Sequence, residues 1–400
     1  MSGRHLFRRP PTNIPVLDGL RAVAILIVII FHTMFFGGGL WSQSFSGLTT
    51  QLILTGRYGV DVFFLLSGFL IANLLFGEYA RTNRISLRRF YARRTARIFP
   101  AYYFTLAVIA VLVHTNSLSP LFLGKPKQEI LAGAWAYLVY LNNYFPGTYM
   151  LWAWSLAIEE QFYLLLPGFL LLVLFRLPER TRPWLLLLLF LVPLVLRWAV
   201  SVHLSLGETQ GPQEPALLST WFSAIYLPFH TRYDPLILGV LCAYLYRWSS
   251  RFHAFLTRWH QSFVIGGIGL TLGWLLSLRS VSSYWYTGVW SFTIVAACAA
   301  LVMMGAVAGR NVGSRVLSAQ EWYPIARVSY GMYLLHPIIV MAVLQWSIAQ
   351  PWFLAMARST SFVLLSLVNI ALSYAAALVL FTVLESPVLN WVKGAPASTP

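Results

Sequence analysis

The sequence has few charged residues. Asp, Glu, Lys and Arg together make up only 10% of its 400 positions, whereas hydrophobic residues make up 58%. A soluble protein of this size carries about 25% charged residues. Because so few charges cannot cover a water-facing surface, the composition excludes a soluble globular protein.

Cysteine and lysine are also scarce. The two cysteines, Cys242 and Cys298, lie in apolar segments and show no spacing typical of a disulfide framework or a metal site. We therefore expect no metal. Only three of the 28 basic residues are lysines, and the net charge of +16 comes mostly from arginines in short loops. This distribution is typical of topology signals and of membrane-lipid contacts. Since nothing resembles a soluble nucleic-acid-binding module, we expect no nucleic-acid partner.

Long apolar segments dominate the rest of the chain. About 20 apolar residues cross the roughly 30 Å hydrocarbon core of a bilayer as a helix, and continuous segments of this kind favour helices over barrel strands. We predict an all-α integral membrane protein with about ten transmembrane helices in a single bundle. The predicted spans are 16–36, 58–76, 98–115, 154–175, 183–203, 232–247, 261–279, 289–308, 324–347 and 361–384. A shorter segment, 129–145, is interpreted as an interfacial or re-entrant helix, with an eleventh crossing as the alternative.

Basic residues are distributed unequally between the two sets of loops. With the N-terminus inside, the inner segments hold 19 basic residues and the outer loops hold five, while the other four lie in or beside spans. This bias predicts that both termini are cytoplasmic. Residues 1–13 and 394–400 are predicted to be short disordered tails on either side of one membrane domain, 14–393.

Half of the twelve acidic residues lie in or at the edges of the predicted spans. A charge at the bilayer centre costs about 2.5–3.5 kcal/mol, so such residues face the bundle interior and find partners. Each either forms an ion pair that locks two helices together or belongs to a functional site. These residues are Asp18, Asp61, Glu159, Glu160, Asp234 and Glu385.

The first span carries two polar residues on nearly one face. Arg21 and His32 are 11 residues apart, which is about 1100° of rotation and about 16 Å along a helix. An imidazole is the usual general base for a hydroxyl near neutral pH. We predict that His32 is a general base, and a structural histidine is the alternative.

Two further segments carry candidate site residues. Arg94 and Arg97 lie in the arginine-rich loop 88–97, are neighbours if it is helical, and suit phosphate binding; a topology anchor is the alternative. Glu159 and Glu160 open the fourth span and point about 100° apart, so that one could orient a catalytic histidine and the other could bind an acceptor hydroxyl. Cross-linking of helices is the alternative for both.

Taken together, these segments are similar to the acyltransferase-3 family of membrane enzymes, which modify bacterial cell-surface polysaccharides and some antibiotics. The family often has a histidine two positions before the Trp-Ser-Leu of the fourth span, where this chain has Trp152. Ser155 in that motif is interpreted as a helix N-cap rather than a nucleophile. The matching segments are 17–22 with His32, 59–70, 93–100, 154–163, 232–234 with Gly239, 329–337 and 385–387.

The resemblance implies an enzyme of the bacterial cytoplasmic (inner) membrane that transfers an acyl group, usually acetyl from acetyl-CoA, to a hydroxyl of a carbohydrate or glycan-like acceptor. The CoA nucleotide would lie at the basic inner loop, with its pantetheine arm directed towards His32. The implied roles are His32 as base, Glu159 and Glu160 in the active site, Arg21, Arg94 and Arg97 at the donor, and Asp61, Arg232 and Asp234 as substrate-binding or structural residues.

A proton-coupled membrane transporter is the alternative function. Its intramembrane His, Glu and Arg residues would form a proton relay. Such transporters are often built from two related halves with discontinuous helices, and we see no internal repeat in this sequence. Within the enzyme interpretation, a surface glycan, a lipid-linked sugar and a secreted small molecule all remain open as acceptors, and so does a covalent acyl-enzyme.

Overall fold

The computed structural model describes residues 9–11, 13–41, 44–117, 125–204, 219–278 and 288–394. These residues form helices and turns, with no strand among them. In chain order the α-helices are α1 (Pro15–Gly37), α2 (Gly47–Leu54), α3 (Gly59–Thr82), α4 (Leu87–His114), α5 (Lys127–Ala132), α6 (Ala134–Leu138), α7 (Trp154–Leu172), α8 (Arg182–His203), α9 (Asp234–Trp248), α10 (Ser250–Ser277), α11 (Ser291–Ala308), α12 (Val312–Leu317), α13 (Trp322–Ile348), α14 (Pro351–Ala355), α15 (Arg358–Leu380) and α16 (Ser386–Gly394).

Eight helical segments of the described chain are long and apolar enough to cross a membrane. This confirms the prediction of an all-α, multi-pass membrane protein, while the exact number of crossings and the side of each terminus stay predictions. The eight segments contain α1, α3, α4, α7, α8, α11, α13 and α15.

The two other predicted spans correspond to helices that are not among these eight. Helix α9 has 15 residues, which extend over about 22 Å and so fall short of the hydrocarbon thickness. A π-helical turn, Phe222–Tyr226, and a 3₁₀ turn, Phe229–Thr231, precede it. Helix α10 has 28 residues, but its first half carries Arg251 and Arg258 and is too polar for a span.

The structure removes one alternative and corrects one expectation about local structure. The segment 129–145 contains only α5 and α6, with six and five residues, which are too short to form an eleventh transmembrane helix. Both lie against α4, where Tyr102 donates a hydrogen bond of 2.9 Å to the carbonyl of Tyr137. The arginine-rich segment 88–97 is not a loop, because α4 already begins at Leu87.

Helix α9 is buried against α3 at an unusually close crossing. A Cβ atom on Gly68 would lie 1.9 Å from the carbonyl oxygen of Leu236, and one on Gly239 would lie 2.3 Å from that of Leu65. Small residues let the backbones of membrane helices approach in this way. The two glycines therefore fix where α9 packs in the bundle.

Helix α1 lies at the centre of the arrangement that positions the site. It packs against α3, α13 and α15, and both α1 and α13 begin at the end of the bundle where α4 starts. We call this the basic end, because the arginines of α4 lie there. Arg9 ties α1 to the turn before α13, since its side chain lies 2.8 Å from Asp18 and donates to the carbonyls of Ser318 and Ala319.

Parts of three sequence predictions lie outside the described residues. These are residues 1–8 and 12 of the predicted N-terminal tail, 395–400 of the C-terminal tail, and 205–218 of the segment 204–228, which lies between the fifth and sixth predicted spans and is an outer loop in the predicted topology. The tails and the loop stay predictions.

Candidate active site

A cavity of about 510 Å³ lies at the basic end, between α1, α3, α4, α7 and α13. We call it the arginine cavity. Four guanidinium groups line it, from three different helices: Arg21, Arg94, Arg97 and Arg327. The three arginines that the resemblance placed at the donor thus line one common cavity.

Helix α4 directs two of these arginines into the cavity because they lie one turn apart. The guanidinium of Arg94 is half-buried and lies 5.9 Å from the ring centroids of both Phe90 and Tyr163. Its Nε has no hydrogen-bond partner within the described chain. Arg97 is exposed. One half-buried guanidinium with an unpaired Nε beside one exposed guanidinium is suited to an anionic ligand that enters from the basic end.

Four carboxyl groups line the same cavity, from Asp18, Glu159, Glu160 and Glu385. Ser67 donates a hydrogen bond of 2.7 Å to Oε1 of Glu159. In contrast, Oε1 atoms of Glu160 and Glu385 are buried and have no hydrogen-bond partner among the residues described. A polar group so placed is available to a substrate N–H or O–H group.

Tyr333 forms part of the wall of the arginine cavity. Its hydroxyl donates to the carbonyl of Trp152 at 2.8 Å, and it therefore accepts the hydrogen bond from Ser155, at 2.6 Å. Ser155 is not the N-cap that we expected, because α7 begins at Trp154 with Ala153 as its N-cap. Trp152 is buried, and its indole N–H donates to the carbonyl of Leu334.

A pair of histidines lies beyond Tyr333, farther from the basic end. The ring centroid of His336 is 5.7 Å from that of Tyr333. Nε2 of His336 is 3.2 Å from Nδ1 of His32. His336 is fully buried, whereas His32 is half-buried. His32 is the 18th residue of α1 and Arg21 is the seventh, so about 16 Å of helix separates the two.

The residue that hydrogen-bonds to the ring of His32 is a histidine, His336, and not one of the two glutamates that we expected to orient it. Neither Glu159 nor Glu160 hydrogen-bonds to it, and its partners among the described residues are the carbonyl of Val28 and the ring of His336. His336 lies in a segment that matches the family. Its contact with His32, 304 residues earlier in the chain, depends on how α13 packs against α1. The hydrophobic periodicity of the two helices does not predict that they pack against each other.

Asp61, Arg232 and Asp234 lie in buried ion pairs outside the arginine cavity. Arg232 is 2.8 Å from Asp61, and its guanidinium is 3.7 Å from the ring centroid of Phe292. Asp234 accepts two hydrogen bonds of 3.0 Å from Arg197. We predicted no role for Arg197. Its position within a predicted span was the feature of the sequence that could have indicated a buried ion pair.

Two further charged residues of the cavity also had no predicted role. Arg327 hydrogen-bonds to Tyr323 at 2.6 Å and lies 4.9 Å from the ring centroid of Phe381. Glu385 ends a π-helical turn, Phe381–Glu385, and such turns are frequent at functional sites. For Arg327 the signal in the sequence was a charge within a predicted span, and for Glu385 it was a charge at the edge of a span within the matching segment 385–387.

Comparison with known proteins gives the family. The sequence profile of a family described as an acyltransferase domain matches residues 14–379. The chain is 31% identical over 346 residues to the O-acetyltransferase OatA of Staphylococcus aureus strains NCTC 8325 / PS 47 and N315, which covers 82% of this chain and 51% of each relative. The chain thus spans about half the length of these relatives. No solved structure matches it. The profile match over most of the chain shows that this protein belongs to the acyltransferase-3 family of membrane enzymes.

Proposed function

We propose that this protein is a membrane O-acetyltransferase that takes an acetyl group from acetyl-CoA and transfers it to a hydroxyl of a carbohydrate or glycan-like acceptor. The observation that carries the proposal is the position of His32. Within the described part of the chain, Tyr333 and His336 connect this half-buried imidazole to the arginine cavity at the basic end. The name of the similar OatA proteins, O-acetyltransferase, supports the acyl group and the ester linkage.

The arginine cavity provides the donor site. Arg21, Arg94 and Arg97 present forked guanidinium groups, which bind phosphate oxygens in a bidentate manner, and Arg327 adds a fourth cation. Coenzyme A carries its phosphates at one end and its thioester at the other. With the phosphates at these arginines, the pantetheine arm runs along Glu159 and Glu160 towards Tyr333. Carboxylate oxygens accept hydrogen bonds from amide N–H groups of that arm.

The surroundings of His32 provide the acceptor site. The rings of Phe31 and Phe36 lie 4.8 Å and 5.7 Å from the imidazole, and Phe35 on the same helix is 49% exposed. Aromatic faces carry negative electrostatic potential and attract polarised C–H groups, which the faces of sugar rings present. A hydroxyl of such an acceptor reaches the imidazole from the end of the bundle opposite the donor.

The reaction needs one base and no covalent enzyme intermediate. His32 removes the proton of the acceptor hydroxyl while that oxygen attacks the thioester carbonyl carbon. The carbon–oxygen bond forms and the carbon–sulfur bond breaks, so that the acetyl ester and the CoA thiolate result. The imidazolium of His32 returns the proton to the thiolate, which restores the neutral base. Asp61, Arg232 and Asp234 have structural roles in this proposal, because their charges are paired and buried away from the cavity.

The experiment is an acyl-transfer assay on detergent-purified protein. Acetyl-CoA is supplied with soluble glycans, lipid-linked sugars or small hydroxylated acceptors in turn, free CoA thiol is measured, and the acetyl ester is identified by mass spectrometry. The proposal expects thiol release that depends on one acceptor class and yields one ester per thiol. Proton flux into proteoliposomes, with no ester formed from any acceptor, would instead support the transporter.

A further inference from the structure

The backbone of α13 determines which nitrogen of His336 carries a proton. Nδ1 of His336 lies 2.9 Å from the carbonyl oxygen of Tyr333 and 3.1 Å from that of Met332. Carbonyl oxygens only accept hydrogen bonds, so Nδ1 must be the protonated nitrogen. In a neutral imidazole the other nitrogen is then an acceptor. Nε2 of His336 therefore presents a lone pair.

That lone pair and a backbone carbonyl together determine the tautomer of His32. Nδ1 of His32 is 3.2 Å from Nε2 of His336 and 3.0 Å from the carbonyl oxygen of Val28. With an acceptor on each side, Nδ1 of His32 must carry the proton and donate it. Nε2 of His32 is then unprotonated, and it has no hydrogen-bond partner in the part of the chain that is described.

We propose that His336 is a positioning residue that holds His32 in the tautomer required of a general base. This rests on the proposed function, in which Nε2 of His32 removes the proton of the acceptor hydroxyl. When Nε2 takes up that proton, Nδ1–H of the imidazolium still donates to His336, whose lone pair stabilises the new charge. Groups that hydrogen-bond the second nitrogen of a working imidazole act in this way.

The two histidines are not interchangeable in this arrangement. His336 is fully buried, and both of its nitrogens are occupied, by its own helix and by His32. His32 is half-buried and has one free nitrogen. Of the two, only His32 can receive a proton from a substrate, whereas His336 can act only by orienting His32, together with the carbonyl of Val28.

The test compares three replacements of His336 by kcat and by KM for acetyl-CoA. His336→Gln keeps an acceptor oxygen near the position of Nε2, His336→Asn keeps a polar group only near Nδ1, and His336→Leu keeps neither. We expect a kcat loss of about 10²-fold for the Asn and Leu variants, at the lower end of the range for general-base catalysis. The Gln variant should lose less, about tenfold, because it keeps the acceptor, and KM should be unchanged in all three. His260→Gln, which replaces an imidazole bonded to Asn311, is the matched control and should keep the wild-type kcat.

A double variant separates this inference from the proposed function. If His336 acts through His32, then His32→Gln combined with His336→Asn is no slower than His32→Gln alone. Wild-type kcat in His336→Asn, or equal kcat in the Gln and Asn variants at equal unfolding temperature, would overturn the positioning role. The positioning role would also be overturned if the fold-loss of kcat in the double variant equalled the product of the fold-losses in the two single variants. Wild-type activity in His32→Gln would instead refute His32 as the base of the proposed function.

Discussion

Arg94 and Arg97 lie side by side in the arginine cavity, whereas Arg89 and Arg93 of the same helix are exposed and do not line it. We expect Arg94→Ala combined with Arg97→Ala to weaken acetyl-CoA binding by about tenfold or more per residue, because a hydrogen bond to a charged group contributes about 1.5–3 kcal/mol. Equilibrium binding of acetyl-CoA to purified protein measures this effect.

The matched control is Arg89→Ala combined with Arg93→Ala. It removes the same charge from the same helix and so reproduces any effect on membrane topology, but it leaves the cavity intact. We expect its affinity for acetyl-CoA to match that of the wild type. If the two double variants bound acetyl-CoA with equal affinity, Arg94 and Arg97 would serve only as topology signals and not as donor-binding residues.

The ion pair of Asp61 with Arg232 is almost fully buried, with side-chain exposures of 1% and 0%. Arg232→Ala leaves a carboxylate without its partner, which costs about 3–5 kcal/mol, so we expect a clear fall in the unfolding temperature. Glu179→Gln is the control, because Glu179 is 84% exposed in its pair with Arg182 and such pairs contribute about 1 kcal/mol or less. An Arg232→Ala protein of wild-type stability but altered acceptor KM would identify a substrate contact instead.

The sequence predicted candidate residues for the site, but not the contacts among them. The resemblance implied that Arg21 and Arg94 lie at the donor and Glu159 in the active site, and all three line the arginine cavity; their roles stay predictions. The partners could not be predicted. Periodicity shows which face of a helix is polar, but not which of the other helices covers that face, so His336 was not paired with His32.

The crossing of α3 and α9 depends on the absence of a side chain at Gly68. Gly68→Ala would place a methyl group 1.9 Å from the carbonyl oxygen of Leu236, so the two helices must separate. We expect a loss of stability of about 1–3 kcal/mol, the usual cost of overpacking, measured as the unfolding temperature in detergent.

Gly269 of α10 is the matched control for this substitution. A Cβ atom there would meet nothing within 4 Å, and alanine is about 1 kcal/mol better than glycine within a helix. Gly269→Ala should therefore be neutral or stabilising. If Gly68→Ala were equally harmless, α9 would not be held at this crossing.

Elements with long apolar sequences were predicted well, and interrupted ones were not. Helices α1 and α13 begin within two residues of the predicted starts of their spans, because each is a long and mainly apolar segment. The shortness of α9 follows from the turns before it, and the helical start of α4 from arginines that are themselves good helix formers. Hydropathy predicts the apolar part of a helix, but it does not predict a polar extension of the same helix beyond the membrane-spanning part.

For the whole molecule, the excess of basic residues in one set of loops predicts cytoplasmic termini. We expect reporter fusions after residues 82 and 394 to be cytoplasmic, and fusions within 204–228, which contains Glu208 and Glu214 and no basic residue, to be external. A cytoplasmic signal from 204–228 would contradict both the topology and an entry of acetyl-CoA from the basic end.

The membrane class and the bundle of helices follow from composition and hydropathy, since long continuous apolar segments satisfy their backbone groups in a bilayer as helices. The distance of about 16 Å between Arg21 and His32 follows from helix geometry. The placement of Tyr333 and His336 between the cavity and His32 depends on how α13 packs beside α1, which the sequence alone does not show.

The most direct test of the proposed mechanism is acetyl transfer by His32→Gln, a variant that keeps a polar side chain but cannot take up a proton at neutral pH. Once the acceptor is identified, we expect this variant to bind acetyl-CoA with wild-type affinity, because the arginine cavity is untouched. It should transfer the acetyl group about 10²–10⁴-fold more slowly, the usual contribution of a general base. A normally folded His32→Gln protein that acetylates at the wild-type rate would show that His32 is not the general base.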